Sequence, residues 1–125
     1  MPERVILTIG TKKGLFVALA PKTRRSFALH GPFGSGVAVY AALIDRRGSP
    51  RLYASSCNPF FGMKVLVSTD LGKKFKDTKA APAFPKDDGR ALANIWSLEV
   101  GADKKELWCG VEPASLFRSR DGGDS

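Results

Sequence analysis

The chain has 125 residues, of which 43% are apolar and 26% are charged, a composition typical of one globular domain of modest size. It excludes a disordered chain, and no apolar stretch is long enough to cross a membrane as a helix. The net charge is +8, since 20 lysines and arginines face 12 carboxylates. The basic residues occur as isolated pairs beside turns instead of on one stripe, so nucleic acid is not the expected partner.

The start of the chain and its cysteines bear on location and metal binding. Met-Pro-Glu-Arg, followed by Val5 to Ile9, lacks the basic start and apolar region of a secretory signal. Cys57 and Cys109 are too few for a disulfide framework, so we expect reduced thiols in a cytoplasmic protein. With one histidine and no close cysteine pair, no metal or other cofactor is expected.

Short runs of β-forming residues alternate with turn residues along the chain, and no segment keeps a helical period. The 13 glycines and 8 prolines are typical of many tight turns. The sequence therefore predicts an all-β fold. In chain order the expected strands are Val5–Thr8, Gly14–Ala18, Ser26–Leu29, Val37–Ile44, Arg51–Ser55, Lys64–Ser68, Lys74–Asp77, Asn94–Val100, Glu106–Gly110 and Ser115–Ser119.

A turn motif occurs twice, with the copies about 50 residues apart. In each copy an aspartate follows a serine by two residues, and its carboxylate can accept hydrogen bonds from backbone N–H groups further along. The glycine two residues after the aspartate supplies the positive φ that closes the turn. Because the motif is repeated, we interpret it as structural; a catalytic or calcium-binding aspartate is the alternative. Its residues are Ser68, Asp70, Gly72 and Phe75 in the first copy and Ser119, Asp121 and Gly123 in the second.

The segments before the two motifs also correspond, which gives about four strands per repeat. This is the content of one β-propeller blade, whose usual period is about 40–50 residues. With the strands of a blade named A to D from the inside outward, the chain 1–125 is predicted to be one incomplete propeller of four-stranded antiparallel blades. Residues 1–33 would supply strands B to D of the first blade, 37–80 the second blade and 93–125 an incomplete third.

The motif resembles the Asp-box, or BNR repeat, and nearly all of the chain resembles bacterial glycosyl-hydrolase-like proteins of the sialidase-like β-propeller superfamily. The resemblance implies that the Asp-boxes are structural turns on the face opposite the ligand-binding face. A propeller needs about 4–8 blades, so we expect an N-terminal fragment of a longer protein. If the chain is truncated, its open sheet edges are expected to cause self-association.

The same resemblance assigns several loops to the ligand-binding face. Glu112, before Pro113, is a weak candidate for a catalytic acid or base, and a loop hydrogen bond is the alternative. Asp87 and Asp88 are the other carboxylates expected there. The adjacent rings of Phe60 and Phe61 would stack on a ligand or cap a blade. The candidate ligand-binding residues are Lys12, His30, Asn58, Phe60, Phe61, Arg90 and Glu112.

The resemblance implies a glycoside-binding or glycosyl-hydrolase-like function with an unassigned substrate. The early Arg-Ile-Pro motif of sialidases is absent, and Tyr40 and Tyr53 lie in strand patterns, so both are expected in the core and not as a nucleophile. Trp96 and Trp108 are likewise expected in the core. The alternative function is a non-catalytic scaffold for protein interaction or assembly. The expected partner is a carbohydrate or a protein, and not a membrane.

Overall fold

The structure, a computed structural model, describes residues 4–125, and every regular element in this range is a β-strand. The all-β prediction is therefore confirmed. No helix long and apolar enough to cross a membrane occurs among these residues. The strands are β1 (Arg4–Thr11), β2 (Gly14–Pro21), β3 (Ala28–Phe33), β4 (Ala42–Asp45), β5 (Arg51–Asn58), β6 (Gly62–Ser68), β7 (Lys76–Asp77), β8 (Asn94–Val100), β9 (Leu107–Glu112) and β10 (Ser115–Ser119).

The strands form three antiparallel sheets, in the orders β1–β2–β3, β4–β5–β6–β7 and β10–β9–β8. Each strand pairs with its neighbour in the chain, because a short turn suffices to join antiparallel strands. We call these the first, middle and third sheets. Within residues 4–125, β1 and β3 are the edges of the first sheet, and β8 and β10 those of the third.

The predicted bounds are confirmed for β8 and β10, and two of the other predicted strands differ most from the structure. The predicted strand Ser26–Leu29 is instead β3, so His30 lies inside a strand and not at its end. The predicted strand Val37–Ile44 is shortened to β4. The N–H of Val39 donates to the carbonyl of Thr11 at 2.8 Å, so the backbone before β4 bonds to the first sheet.

The middle sheet packs between the other two, and β5 supplies both of its apolar faces. Successive side chains of a strand point to opposite faces. Leu52 and Ala54 therefore join Leu15 and Val17 of the first sheet. Tyr53 points the other way, into a cluster with the third sheet, and is 1% exposed, which confirms its predicted place in the core. Both clusters hold the sheets together by burial of apolar surface.

Two aromatic residues predicted to lie in the core are on the surface. Tyr40 is 43% exposed, because β4 begins only at Ala42. Trp96 is 47% exposed, because the pairing of β8 with β9 is irregular at this residue and its side chain turns outward. The two rings contact each other, with their centroids 4.8 Å apart. Trp108 is only half-buried.

Candidate functional site

The first copy of the repeated motif forms a compact hydrogen-bonded turn after β6. The hydroxyl of Ser68 donates to Asp70 Oδ1 at 2.8 Å and accepts from the N–H of Gly72 at 2.9 Å. Asp70 Oδ1 also accepts from the N–H groups of Lys73 and Lys74, at 3.1 and 3.0 Å. The bonds from the Lys74 N–H and the Ser68 hydroxyl lower the pKa of Asp70. One carboxylate oxygen is thus engaged by its own turn.

In the second copy, after β10, the serine forms the same two bonds. The hydroxyl of Ser119 donates to Asp121 Oδ1 at 2.8 Å and accepts from the N–H of Gly123 at 2.9 Å. Ser125 adds two bonds to this carboxylate, from its N–H at 2.8 Å and from its hydroxyl at 2.6 Å. The bonds from the Ser125 and Ser119 hydroxyls lower the pKa of Asp121 to about 2. The carboxylate is therefore ionised at neutral pH and held within its turn.

A groove of about 620 Å³ lies at the other end of β6 from the first of these turns. It opens where the β1–β2 turn, the segment before β4 and the β5–β6 turn meet. Three of the predicted ligand-binding residues, Lys12, Asn58 and Phe60, line it together with Tyr40 and Asn94. The groove is open to solvent and combines aromatic, amide and ammonium groups, so it is the candidate binding site of the molecule.

Asn58 shapes the β5–β6 turn at the edge of this groove. Its Oδ1 atom accepts hydrogen bonds from the N–H groups of Phe60 at 2.8 Å and Phe61 at 3.1 Å. The side-chain amide is held in place by these bonds, and its NH₂ group donates to none of residues 4–125. The rings of Phe60 and Phe61 are 89% and 79% exposed, so neither caps a sheet. Large exposed apolar rings beside a groove are typical of an interaction surface.

Glu112 lies beside the groove but does not line it. Its Oε2 atom accepts a hydrogen bond from the side-chain amide of Asn94 at 3.0 Å. This bond joins neighbouring ends of β8 and β9, where the two residues pair. This contact corresponds to the alternative in which Glu112 makes a structural hydrogen bond. Its partner, Asn94, was not a candidate residue in the sequence analysis.

Two other predicted ligand-binding residues are placed elsewhere. His30 is exposed on β3, where it pairs with Val17. Arg90 donates from Nε and NH2 to both carboxylate oxygens of Asp88. Its guanidinium lies 4.3 Å from the centre of the Phe84 ring, and its bonds lower the pKa of Asp88. Neither residue lines the groove.

Arg47 connects the middle and third sheets at the other end of β5. Its Nε and NH2 atoms donate to Asp45 Oδ1 and Oδ2 at 2.9 and 3.0 Å, and these bonds lower the pKa of Asp45. The same guanidinium donates to the carbonyls of Gly101 and Glu106, both at 2.9 Å, and to that of Asp103. Sequence reasoning missed this residue, because its carbonyl partners lie more than 50 positions away.

Both cysteines are buried free thiols. Burial raises the pKa of the Cys109 thiol, which disfavours the reactive thiolate. Among residues 4–125, no group of three or more histidine, cysteine, aspartate or glutamate side chains is placed to hold a metal ion.

Comparison of the chain with models of known protein families and with curated proteins gave no match.

Proposed function

We propose that the chain is part of a sialidase-like Asp-box propeller and binds a carbohydrate in the groove between the β1–β2 and β5–β6 turns. The sheets of three, four and three strands and the two equivalent turns after β6 and β10 support the propeller part of this proposal. The groove lies at the opposite end of β6 from the first turn, in keeping with a ligand-binding face opposite the Asp-boxes.

One observation carries the binding part of the proposal: exposed aromatic rings stand beside amide groups in this groove. Phe60 and Tyr40 supply flat apolar faces, on which the C–H face of a pyranose ring can pack. Asn58 and Asn94 supply amides, and Lys12 an ammonium group, that can bond hydroxyl or acidic groups of a sugar. Because the groove is open, we expect weak binding, with a Kd of about 0.1–1 mM.

The groove favours binding over hydrolysis. Most glycosidases use two carboxyl groups about 5–9.5 Å apart on either side of the scissile bond. The residues that line the groove, all within the described part of the chain, include no aspartate or glutamate. The carboxylate of Glu112 lies outside the lining and is hydrogen-bonded to Asn94, which lines the groove. We therefore propose no catalytic step for this segment.

The experiment is a titration of the ¹⁵N-labelled protein with methyl glycosides of galactose, glucose and N-acetylglucosamine and with N-acetylneuraminic acid, followed by amide chemical shifts. We expect shifts around Asn58 and Lys12 with at least one sugar, and Phe60→Ala should weaken that binding about tenfold. Phe61→Ala is the matched control, since Phe61 is similarly exposed but does not line the groove. Absence of shifts with every sugar, or equal losses in the two variants, would contradict the proposal.

The second candidate function is a non-catalytic interaction scaffold. Leu116 is 70% exposed on β10, which is an edge strand of the third sheet within residues 4–125. An exposed apolar edge strand is a template for pairing with another chain. For this alternative, sedimentation velocity should show concentration-dependent association that Leu116→Lys reduces, and a monomer at all concentrations would exclude association through this edge.

A further inference from the structure

A cavity of about 210 Å³ lies at the opposite end of β5 from the groove. It is partly open to solvent and lies between three turns: the β4–β5 turn, the β8–β9 turn and the turn after β10. One carboxylate, Asp45, lines it, against four basic side chains: Arg47, Arg51, Lys104 and Lys105. Its size is far above the ~10–15 Å³ that a single water needs, so a larger group fits.

The charges of this cavity do not balance. Asp45 is fully engaged by Arg47, whose remaining donors bond to backbone carbonyls of the β8–β9 turn. Arg51, Lys104 and Lys105 form no ion pair with a carboxylate of residues 4–125. The lining residues therefore carry three more positive than negative charges, although the charge of Arg51 also acts on Asp45. The mutual repulsion of the positive charges is relieved when an anion enters.

Close contacts hold Arg51, at the start of β5, near the turn that carries Lys104 and Lys105. A Cβ atom on Gly122 would lie 3.2 Å from NH1 of Arg51, so the bare glycine leaves room for the guanidinium. The N–H of Gly122 donates to the carbonyl of Lys105 at 3.0 Å, which joins the last turn to the β8–β9 turn. The Lys104 side chain approaches Gly48, where a Cβ atom would lie 3.7 Å from its Cε.

We propose that this cavity binds a phosphate group, either as the free anion or as part of a small phosphomonoester. A phosphate carries close to two negative charges and accepts hydrogen bonds from several directions at once. Arg51 presents a planar pair of donors, and the two lysines present point charges from another turn. A carboxylate ligand carries one negative charge, and its two oxygens lie in one plane, so it would accept fewer hydrogen bonds from the arginine and the two lysines. The site is independent of the carbohydrate groove, because it lies at the other end of β5.

The test is isothermal calorimetry and thermal unfolding at constant ionic strength, with inorganic phosphate, glycerol 2-phosphate and sodium acetate as probes. We expect both phosphates to bind more tightly than acetate and to raise the Tm. The double variant Lys104→Gln/Lys105→Gln and the single variant Arg51→Gln should each weaken phosphate binding at least tenfold. Tighter binding of glycerol 2-phosphate would assign the site to an ester, and tighter binding of inorganic phosphate to the free anion.

The matched control is Lys73→Gln/Lys74→Gln, which removes the same charge from an exposed pair outside the cavity. It should bind phosphate as the unmodified protein does. Equal losses in the two double variants would show that only the overall charge attracts phosphate and would overturn the proposal. No binding by the unmodified protein, or acetate binding as tight as phosphate binding, would overturn it as well. The same variants are also titrated with the sugars, so that a failure of phosphate binding can be distinguished from a failure of carbohydrate binding.

Discussion

The hydroxyl of Tyr53 donates a hydrogen bond to the carbonyl oxygen of Gly122 at 3.2 Å. Tyr53 belongs to β5 of the middle sheet and Gly122 to the turn after β10 of the third, so the bond joins two sheets. The tyrosine is 1% exposed. Tyr53→Phe leaves the carbonyl without this partner, and we expect the free energy of unfolding in urea to fall by about 1 kcal/mol. Tyr40→Phe is the control, since Tyr40 is exposed, and an equal loss in both variants would contradict this account.

Ser68 is expected to matter more for stability than its equivalent, Ser119. Ser68 is 1% exposed, and its hydroxyl accepts from the buried N–H of Gly72. Ser68→Ala removes that partner, which should lower the free energy of unfolding by about 1–3 kcal/mol. Ser119 is half-buried, so water replaces its hydroxyl more easily and the loss should be smaller. Urea unfolding of both variants, with exposed Ser35→Ala as the control, measures the difference; a larger loss for Ser119→Ala would contradict it.

Acid should weaken the fold through the repeated turns. The pKa of Asp121 is lowered to about 2 from an ordinary value of 3.8. A carboxyl with a lower pKa in the folded state than in the unfolded state stabilises the fold above the unfolded value, and this contribution is lost as the pH falls through the folded value. The Tm should therefore fall between about pH 4 and pH 2, and Asp121→Asn should flatten that part of the profile. An unchanged slope in the variant would show that other groups cause the acid sensitivity.

Arg47 should help to join the middle and third sheets through the geometry of its guanidinium as well as its charge. Arg47→Lys keeps a cation beside Asp45, but one ammonium group cannot reach both carboxylate oxygens and the carbonyls of Gly101 and Glu106. We expect the Tm to fall by about 5 °C. The control is Arg46→Lys, since the neighbouring Arg46 is exposed and makes none of these bonds. Equal Tm values for the two variants would mean that the charge alone suffices.

The turns after β6 and β10 could be predicted from the sequence because their bonds are local. Each hydroxyl and carboxylate contacts groups within a few residues, so residue type and spacing define the turn. The strands were predicted for the same reason, since each is a short run of β-forming residues between turn residues. The structure brings three of the candidate residues together in the groove, because Lys12, Asn58 and Phe60 lie in or beside turns at the same end of their sheets.

Contacts between distant segments were not predictable. Trp96 has the apolar character of a core residue, but the irregular pairing with β9 turns it outward, and no local pattern reports that irregularity. The predicted core position of Tyr40 was wrong for a related reason. The backbone before β4 bonds to Thr11 instead of extending the strand. Arg47 is one of two adjacent arginines, and only the folded third sheet distinguishes it from Arg46.

The hydrogen bonds of the repeated turn and those of Arg47 depend differently on how the sheets are placed. Ser68 and Asp70 bond to each other and to backbone N–H groups of their own turn, so the polar side chains of this turn need no partner from another sheet. Arg47 has the opposite property, since its bonds require particular carbonyls in the neighbouring sheet. A shift of one sheet against the other would therefore leave the bonds of the turn intact but break those of Arg47.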